Sequence, residues 1–261
     1  TIVTVSRGAA VVRDYVTEIA RGQVEGACLF RQIGRNPDVD NVREDVWESG
    51  GTYVFPAAGG IRMRVVSTDA NDTAAGTGAR TVDIVYLDAS GNEFTERLTL
   101  NGTTPVLTTA TDIWRIQDFH LRTAGLNALT VGTVSLTDTG GTVTYSSIAA
   151  NAGRQRQAII TVPAGKIGFV NEIILSGNAT GGAATDYLEG FLRATCEEDG
   201  ESLGEIFNFK AGIIQTNSSV WAQCNPIRIG SLCDIKVSVT SRAGTSSVIA
   251  VAGFSGWFED E

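Results

Sequence analysis

Thr81-Val82-Asp83-Ile84-Val85-Tyr86-Leu87, Asp88-Ala89-Ser90-Gly91-Asn92 and Glu93-Phe94-Thr95-Glu96-Arg97-Leu98-Thr99-Leu100 follow one another without a break. The first and third segments are rich in β-branched and aromatic residues and run with period two, as strands do. Between them, Ser-Gly and Gly-Asn supply the positive φ that a tight reversal needs. The stretch reads as a β-hairpin, and the same pattern extends from it in both directions.

Upstream, Tyr53-Val54-Phe55 and Ile61-Arg62-Met63-Arg64-Val65-Val66 are strands by the same criterion. Downstream, Asn101-Gly102 is a turn, and residues 113–122 and 129–136 complete a first block, with the Thr- and Arg-rich faces of a half-solvated antiparallel sheet. Asp138-Thr139-Gly140-Gly141 marks a boundary. A second block holds strands at 158–162, 167–175, 187–194, 206–209, 232–239 and 248–258. The blocks resemble each other. Val54-Phe55-Pro56-Ala57-Ala58-Gly59 parallels Thr161-Val162-Pro163-Ala164-Gly165, and Leu121-Arg122-Thr123-Ala124-Gly125 parallels Thr240-Ser241-Arg242-Ala243-Gly244. The fold expected is all-β: an antiparallel sandwich or jelly-roll in two related modules, residues 51–138 and 139–261.

Residues 1–50 stand apart as an N-terminal arm. Val11, Val12, Tyr15, Val16 and Ile19 fall on one helical face that Gly22 could end, yet the β-branched content suits an extended arm equally. The polar run Gly34-Arg35-Asn36-Pro37-Asp38-Val39-Asp40-Asn41 is too poor in hydrophobic residues to make a core of its own. Ile33, Val39, Val46 and Trp47 are spaced irregularly along this polar segment, which suits anchors that dock into pockets of a neighbour. The competing reading is that the arm wraps its own sandwich. Trp221, in a polar region, is a further candidate interface anchor or sugar-stacking residue, with core packing as the default.

Composition narrows the function classes. Of 261 residues, 43% are hydrophobic, 19% charged and 30 are Gly. Twenty basic against twenty-nine acidic residues give −9, which disfavours a nucleic-acid surface. No apolar run is long enough for a membrane helix or a signal peptide. The start at Thr1 fits either removal of an initiator Met or cleavage of a leader. The four cysteines, Cys28, Cys196, Cys224 and Cys233, show no CxxC spacing and read as free thiols of a reducing cytoplasm.

Candidate chemistry is sparse. His120 is the single histidine, so any Ser-His-Asp or Cys-His arrangement must use it, yet it lies in a strand pattern as a solvent-facing residue. Asp69-Ala70-Asn71-Asp72-Thr73-Ala74-Ala75-Gly76-Thr77-Gly78 lacks the sixth-position Gly and final Glu of a calcium loop, and the Gly-Lys-Ser/Thr ending of a phosphate loop. It reads as a flexible interstrand loop. Asn36, Asp38 and Asp40 alternate as oxygen ligands could, but equally as one solvated face. Glu197-Glu198-Asp199-Gly200-Glu201 offers paired carboxylates but nothing to raise one pKa. The chain reads as a non-enzyme without metal or cofactor.

Several segments resemble virion structural proteins of tailed bacteriophages. They are Arg7-Gly8, Arg21-Gly22-Gln23-Val24-Glu25-Gly26-Ala27, Gly34 to Asp40, Glu44-Asp45-Val46-Trp47-Glu48-Ser49-Gly50-Gly51, Ser67 to Val82, Tyr86-Leu87-Asp88, Glu93-Phe94-Thr95-Glu96, Thr99 to Val106, and Val162-Pro163-Ala164-Gly165-Lys166. The resemblance implies a capsid decoration or cement protein, assembled in the bacterial host cytoplasm and resident in the virion. It implies the major capsid protein or other virion proteins as partners, and a homo-oligomer with a trimer preferred. A neck, tail or fibre component, or a carbohydrate- or receptor-binding β-sandwich module, are the alternatives. The family motif carries no catalytic residues.

Overall fold

The computed structural model describes residues 14–179, 188–196, 205–211, 218–241 and 248–261, without the side chains of 179, 205–211 and 218–224. Over these residues the chain is an all-β protein of antiparallel sheets. A single short helix, α1 (Tyr15–Ala20), starts where the Asp14 carboxylate accepts from the Thr17 N–H, and it buries Ile19. Gly22, with φ of +70°, follows its end. Val11 and Val12 lie outside the described residues.

The strands follow in chain order. β1 (Cys28–Val39) and β2 (Glu44–Asp45) come first, then β3 (Met63–Ser67), β4 (Ala79–Leu87), β5 (Glu93–Thr99), β6 (Val106–Leu107), β7 (Arg115–Ala124), β8 (Val134–Asp138) and β9 (Thr144–Ile148). After them come β10 (Ile159–Thr161), β11 (Lys166–Ala179), β12 (Leu188–Thr195), β13 (Glu205–Ala211), β14 (Ser218–Ile229), β15 (Asp234–Ser241) and β16 (Val248–Asp260). β4 and β5 form the hairpin expected around Ser90-Gly91-Asn92. Val82 faces Leu98 and Tyr86 faces Phe94, while the Asp88 carboxylate accepts from the Ser90 and Asn92 N–H groups to close the loop.

Two β bodies form, each with its own core. In the first, sheets β6-β3-β8-β9 and β5-β4-β7 enclose Met63, Val65, Val82, Ile84, Ile113, Phe119, Leu136 and Ile148. In the second, sheets β1-β16-β11-β14 and β10-β15-β12-β13, with β2 on β15, enclose Phe30, Val39, Val46, Ile173, Leu192, Val237 and Phe254. The strand orders correspond. Replacing β3 to β8 by β11 to β16, and β9 by β1, converts 6-3-8-9 into 14-11-16-1 and 5-4-7 into 13-12-15. Both sequence parallels fall on equivalent places: Pro56 and Pro163 precede β3 and β11, and Ala124 and Ser241 end β7 and β15.

Two expectations about organisation give way. Asp138-Thr139-Gly140-Gly141 is the turn of the β8–β9 hairpin inside the first body, because β9 packs into that core, so the bodies part after Ala152 and not at 138. The arm is not separate from the sandwich over residues 28–47. β1 pairs with β16 along its length and takes the place that β9 holds in the first body.

The cysteine reading is also corrected. Cys196 and Cys233 form a disulfide with Cα atoms 4.2 Å apart. Thr195 and Asp234 are register partners on β12 and β15, so the next residue of one strand meets the preceding residue of the other. Spacing along the chain could not reveal a cross-strand neighbour 37 residues away. Cys28 is a free, exposed thiol. The loop at Asp69–Gly78 is pinned where a flexible loop was expected. Asp72 is fully buried and accepts from Ser67 Oγ and the N–H groups of Ala79, Val131 and Gly132, at 2.6–2.9 Å.

Candidate functional site

The bodies meet along a buried polar seam. Gln117 on β7 donates from Nε2 to the Thr161 carbonyl at 2.6 Å and accepts the Thr161 N–H at 3.0 Å. Gln32 on β1 donates to the Gln117 carbonyl at 3.0 Å. Arg115 holds Asp234 through Nε and Nη2, and Thr161 Oγ1 donates to the same carboxylate. Each of these polar groups is out of water and has its partner, as burial requires. Tyr53, whose hydroxyl burial pushes far up in pKa, donates to the Tyr145 carbonyl and ties the segment after β2 to the first body.

Beside the seam lies an open cleft of about 660 Å³. β1 supplies Arg31, Ile33 and Arg35 to one wall, and the segment entering β10 supplies Arg154 and Arg156 to the other. Ile33 is 42% exposed and Leu129 39%, so two apolar side chains stand in water inside a basic frame. Each arginine has a carboxylate nearby, but two share one: Arg35 lies 2.7 Å and Arg156 3.7 Å from Glu48, Arg154 2.8 Å from Asp118, and Arg31 3.4 Å from Glu172. Four guanidinium groups meet three carboxylates, leaving the rim cationic on a chain of net charge −9.

Of the expected anchors whose side chains the structure describes, only Ile33 stands in this cleft. Val39 and Val46 are fully buried and Trp47 is 7% exposed, all inside this chain. Trp47 packs edge-on against Tyr53, which packs edge-on against Phe55, and its Nε1 donates to the Gly51 carbonyl at 3.3 Å. These three residues therefore cannot serve a neighbour's pockets while the fold is intact. The Trp221 backbone lies in β14 opposite Ile174, and its side chain is outside the described residues. The carboxylates at 197–201 also lie outside them.

The cleft's other residues, Arg31, Arg35, Leu129, Arg154 and Arg156, were not singled out from the sequence. The available signal was the alternation Leu29, Arg31, Ile33, Arg35. It was masked because the inward positions hold Gln32, Gly34 and Asn36, which do not look like a core face. A Cβ on Gly34 would strike the Val46 carbonyl and the Ala158 N–H, so the small residue is set by a close backbone approach. Asn36, weighed as an oxygen ligand, is fully buried and donates to Glu44 at 2.8 Å.

His120 is partly exposed, and its Nδ1 lies 2.6 Å from Asp118, the carboxylate that Arg154 also engages. Asp83, near its Nε2, is held below the usual carboxylate range by hydrogen bonds from Arg97, with the charges of Arg97, His120 and Arg122 adding to the effect. Among the described residues, no three His, Cys, Asp or Glu side chains gather as a metal site. No helix there is long and apolar enough to cross a membrane.

No protein-family model matches the chain, and no curated protein matches it. Among solved structures it is similar to a chain of "Structure of infectious bursal disease virus Gt strain", at 7% identity and a TM-score of 0.18, over 95% of this chain and 81% of that one. It is similar also to a chain of "Crystal structure of the T13 IBDV viral particle reveals a missing link in icosahedral viruses evolution", at 8% identity and a TM-score of 0.19, over 90% and 74%. At such scores no residue role is carried over.

Proposed function

We propose that the chain is a structural component of a bacteriophage particle, a decoration or cement protein that binds and stabilises the head shell. It acts by docking, with the cleft of Ile33, Leu129 and the four arginines as the surface that receives a neighbouring virion protein. The observation that carries the reading is this apolar floor in a cationic rim on an otherwise acidic chain. Exposed apolar side chains framed by arginine are the composition of an interface centre. The partner segment that complements it carries carboxylates around one or two apolar residues.

The sequence resemblance to virion proteins supplies the particle, the major capsid protein or another virion protein as partner, and a homo-oligomer, with a trimer preferred. The test is co-sedimentation with purified head shells lacking this chain. Wild type is expected to pellet with the shells at hundreds of copies per particle, and Ile33→Asp with Leu129→Asp to remain in the supernatant while still folded. Wild-type protein that stays in the supernatant, or a pair of aspartates that changes nothing, overturns the reading. Occupancy of only a few copies moves the chain to the neck, tail or fibre.

A further inference from the structure

A second, smaller cavity of about 310 Å³ opens where β12 and β15 meet the segment around Phe55 and the start of β7. Phe55 and Trp114 wall it, and Arg115, Arg193, Asp234 and Lys236 bring charge to it. Two of its three cations have carboxylates of their own. Arg115 holds Asp234, and Lys236 Nζ lies 2.7 Å from Asp45, which also accepts from Ser238 Oγ and the Tyr53 N–H. Arg193 differs: its Nε is buried and finds no hydrogen-bond partner among the described residues.

The register sharpens the anomaly. Arg193 on β12 sits directly opposite Lys236 on β15, so two like charges occupy facing positions of adjacent strands. Such pairs repel unless an anion lies between or beside them. Among the described side chains, three cations face the carboxylates of Asp234 and Asp45, one positive charge more than the carboxylates.

We propose that this cavity binds a small organic monoanion, whose carboxylate is received by Arg193 and whose body packs along the wall that Phe55 and Trp114 form around Arg115. The guanidinium fork matches a carboxylate, and one surplus charge matches a monoanion better than a phosphate dianion. The walls are set in advance. The Arg115 guanidinium lies 4.4 Å from the centre of the Phe55 ring and 4.0 Å from that of Trp114, which holds both rings in place before any ligand arrives. Because the lining comes from both bodies, occupancy links them independently of the cleft described above.

Titration of the full chain with sodium benzoate by calorimetry tests this, with sodium chloride at matched ionic strength and sodium phosphate as controls. Saturable benzoate binding is expected, together with a raised melting temperature. Arg193→Gln should weaken it by about tenfold or more, the loss of one charge-assisted contact. Arg193→Lys should weaken it less, and Arg21→Gln, outside both the cavity and the cleft, should leave it unchanged. Circular dichroism of each variant separates lost binding from lost fold. Glu205 on β13 is the register partner of Arg193 on its other side, and Glu205→Gln is the decisive control. Binding that appears only in Glu205→Gln overturns the proposal, since an internal carboxylate would then be the native partner. No saturation in wild type, equal binding by Arg193→Gln, or phosphate binding as tightly as benzoate also overturns it.

Discussion

Arg115 on β7 grips Asp234 on β15 through two hydrogen bonds of 2.7 and 2.9 Å, and neither residue is more than 7% exposed. The pair joins the two β bodies at the point where Thr161 and Gln117 also exchange hydrogen bonds. A junction made of apolar residues alone would let one body slide on the other. Fixed donors and acceptors specify one orientation instead.

Removing one partner of this pair strands a buried charge, whereas removing both does not. Arg115→Ala or Asp234→Ala is expected to cost about 3–5 kcal/mol, while Arg115→Met with Asp234→Leu should cost clearly less than the sum of the single changes. Urea denaturation of the four proteins measures the coupling. Additive losses would mean that the pair does not act as a unit.

Removing residues 1–39 deletes β1 and strips the cover from Phe254 and Phe258, which Phe30 contacts at ring distances of 6.0 and 4.5 Å. The truncated protein is expected to melt far below wild type or aggregate, because β16 loses its neighbour along ten registered positions. The first body, whose core lies within residues 63–152, should keep its own cooperative transition. Differential scanning calorimetry distinguishes the outcomes: an unchanged thermogram would restore residues 28–39 to the status of a free arm.

The same residues show what the sequence makes legible. The β4–β5 hairpin was readable because Val82, Ile84 and Tyr86 point inward and the Ser-Gly-Asn turn is local. The repeat was readable because turn residues before β3 and β11 kept their character. β1 was not, because Gln32 faces inward to the Gln117 carbonyl of a distant strand, Asn36 to Glu44 beyond the strand's end, and Gly34 to admit a crossing backbone. Nothing within residues 28–39 announces those partners. The cleft shares this fate, since its walls are more than 90 residues apart in the chain.

Acid should weaken the first body at Asp83. Arg97 donates to this carboxylate from Nε and a second nitrogen at 2.7 and 3.0 Å, which lowers its pKa below the ordinary 3.8. A group whose pKa is depressed on folding contributes stability that is present above its unfolded value and lost as pH falls through the folded one. Stability should therefore decline below about pH 4, and Asp83→Asn should be less stable than wild type at pH 7 but show a shallower decline. Arg97 is half exposed, so the effect is modest and shrinks in salt. Urea midpoints at pH 7 and pH 3, with and without salt, test it. Parallel declines for the two proteins would remove Asp83 from the account.

The disulfide offers a larger effect. Cys196 and Cys233 close a loop with 37 residues of separation, across the β12–β15 register that also presents Arg193 and Lys236. Loop-closure entropy in the unfolded chain gives about 3–4 kcal/mol for a loop of this length, an upper figure because unfolded chains keep some structure. Cys196→Ser with Cys233→Ser should lower the stability of the second body by up to that amount and leave the first body's transition in place, since Met63 to Ala152 form a separate core. Alkylation and mass measurement without reductant should find these two thiols blocked from reaction and Cys28, which is exposed, modified. If all cysteines alkylate in native, unreduced protein and the double serine variant melts with wild type, the bridge contributes nothing, and the strand register alone holds β12 against β15.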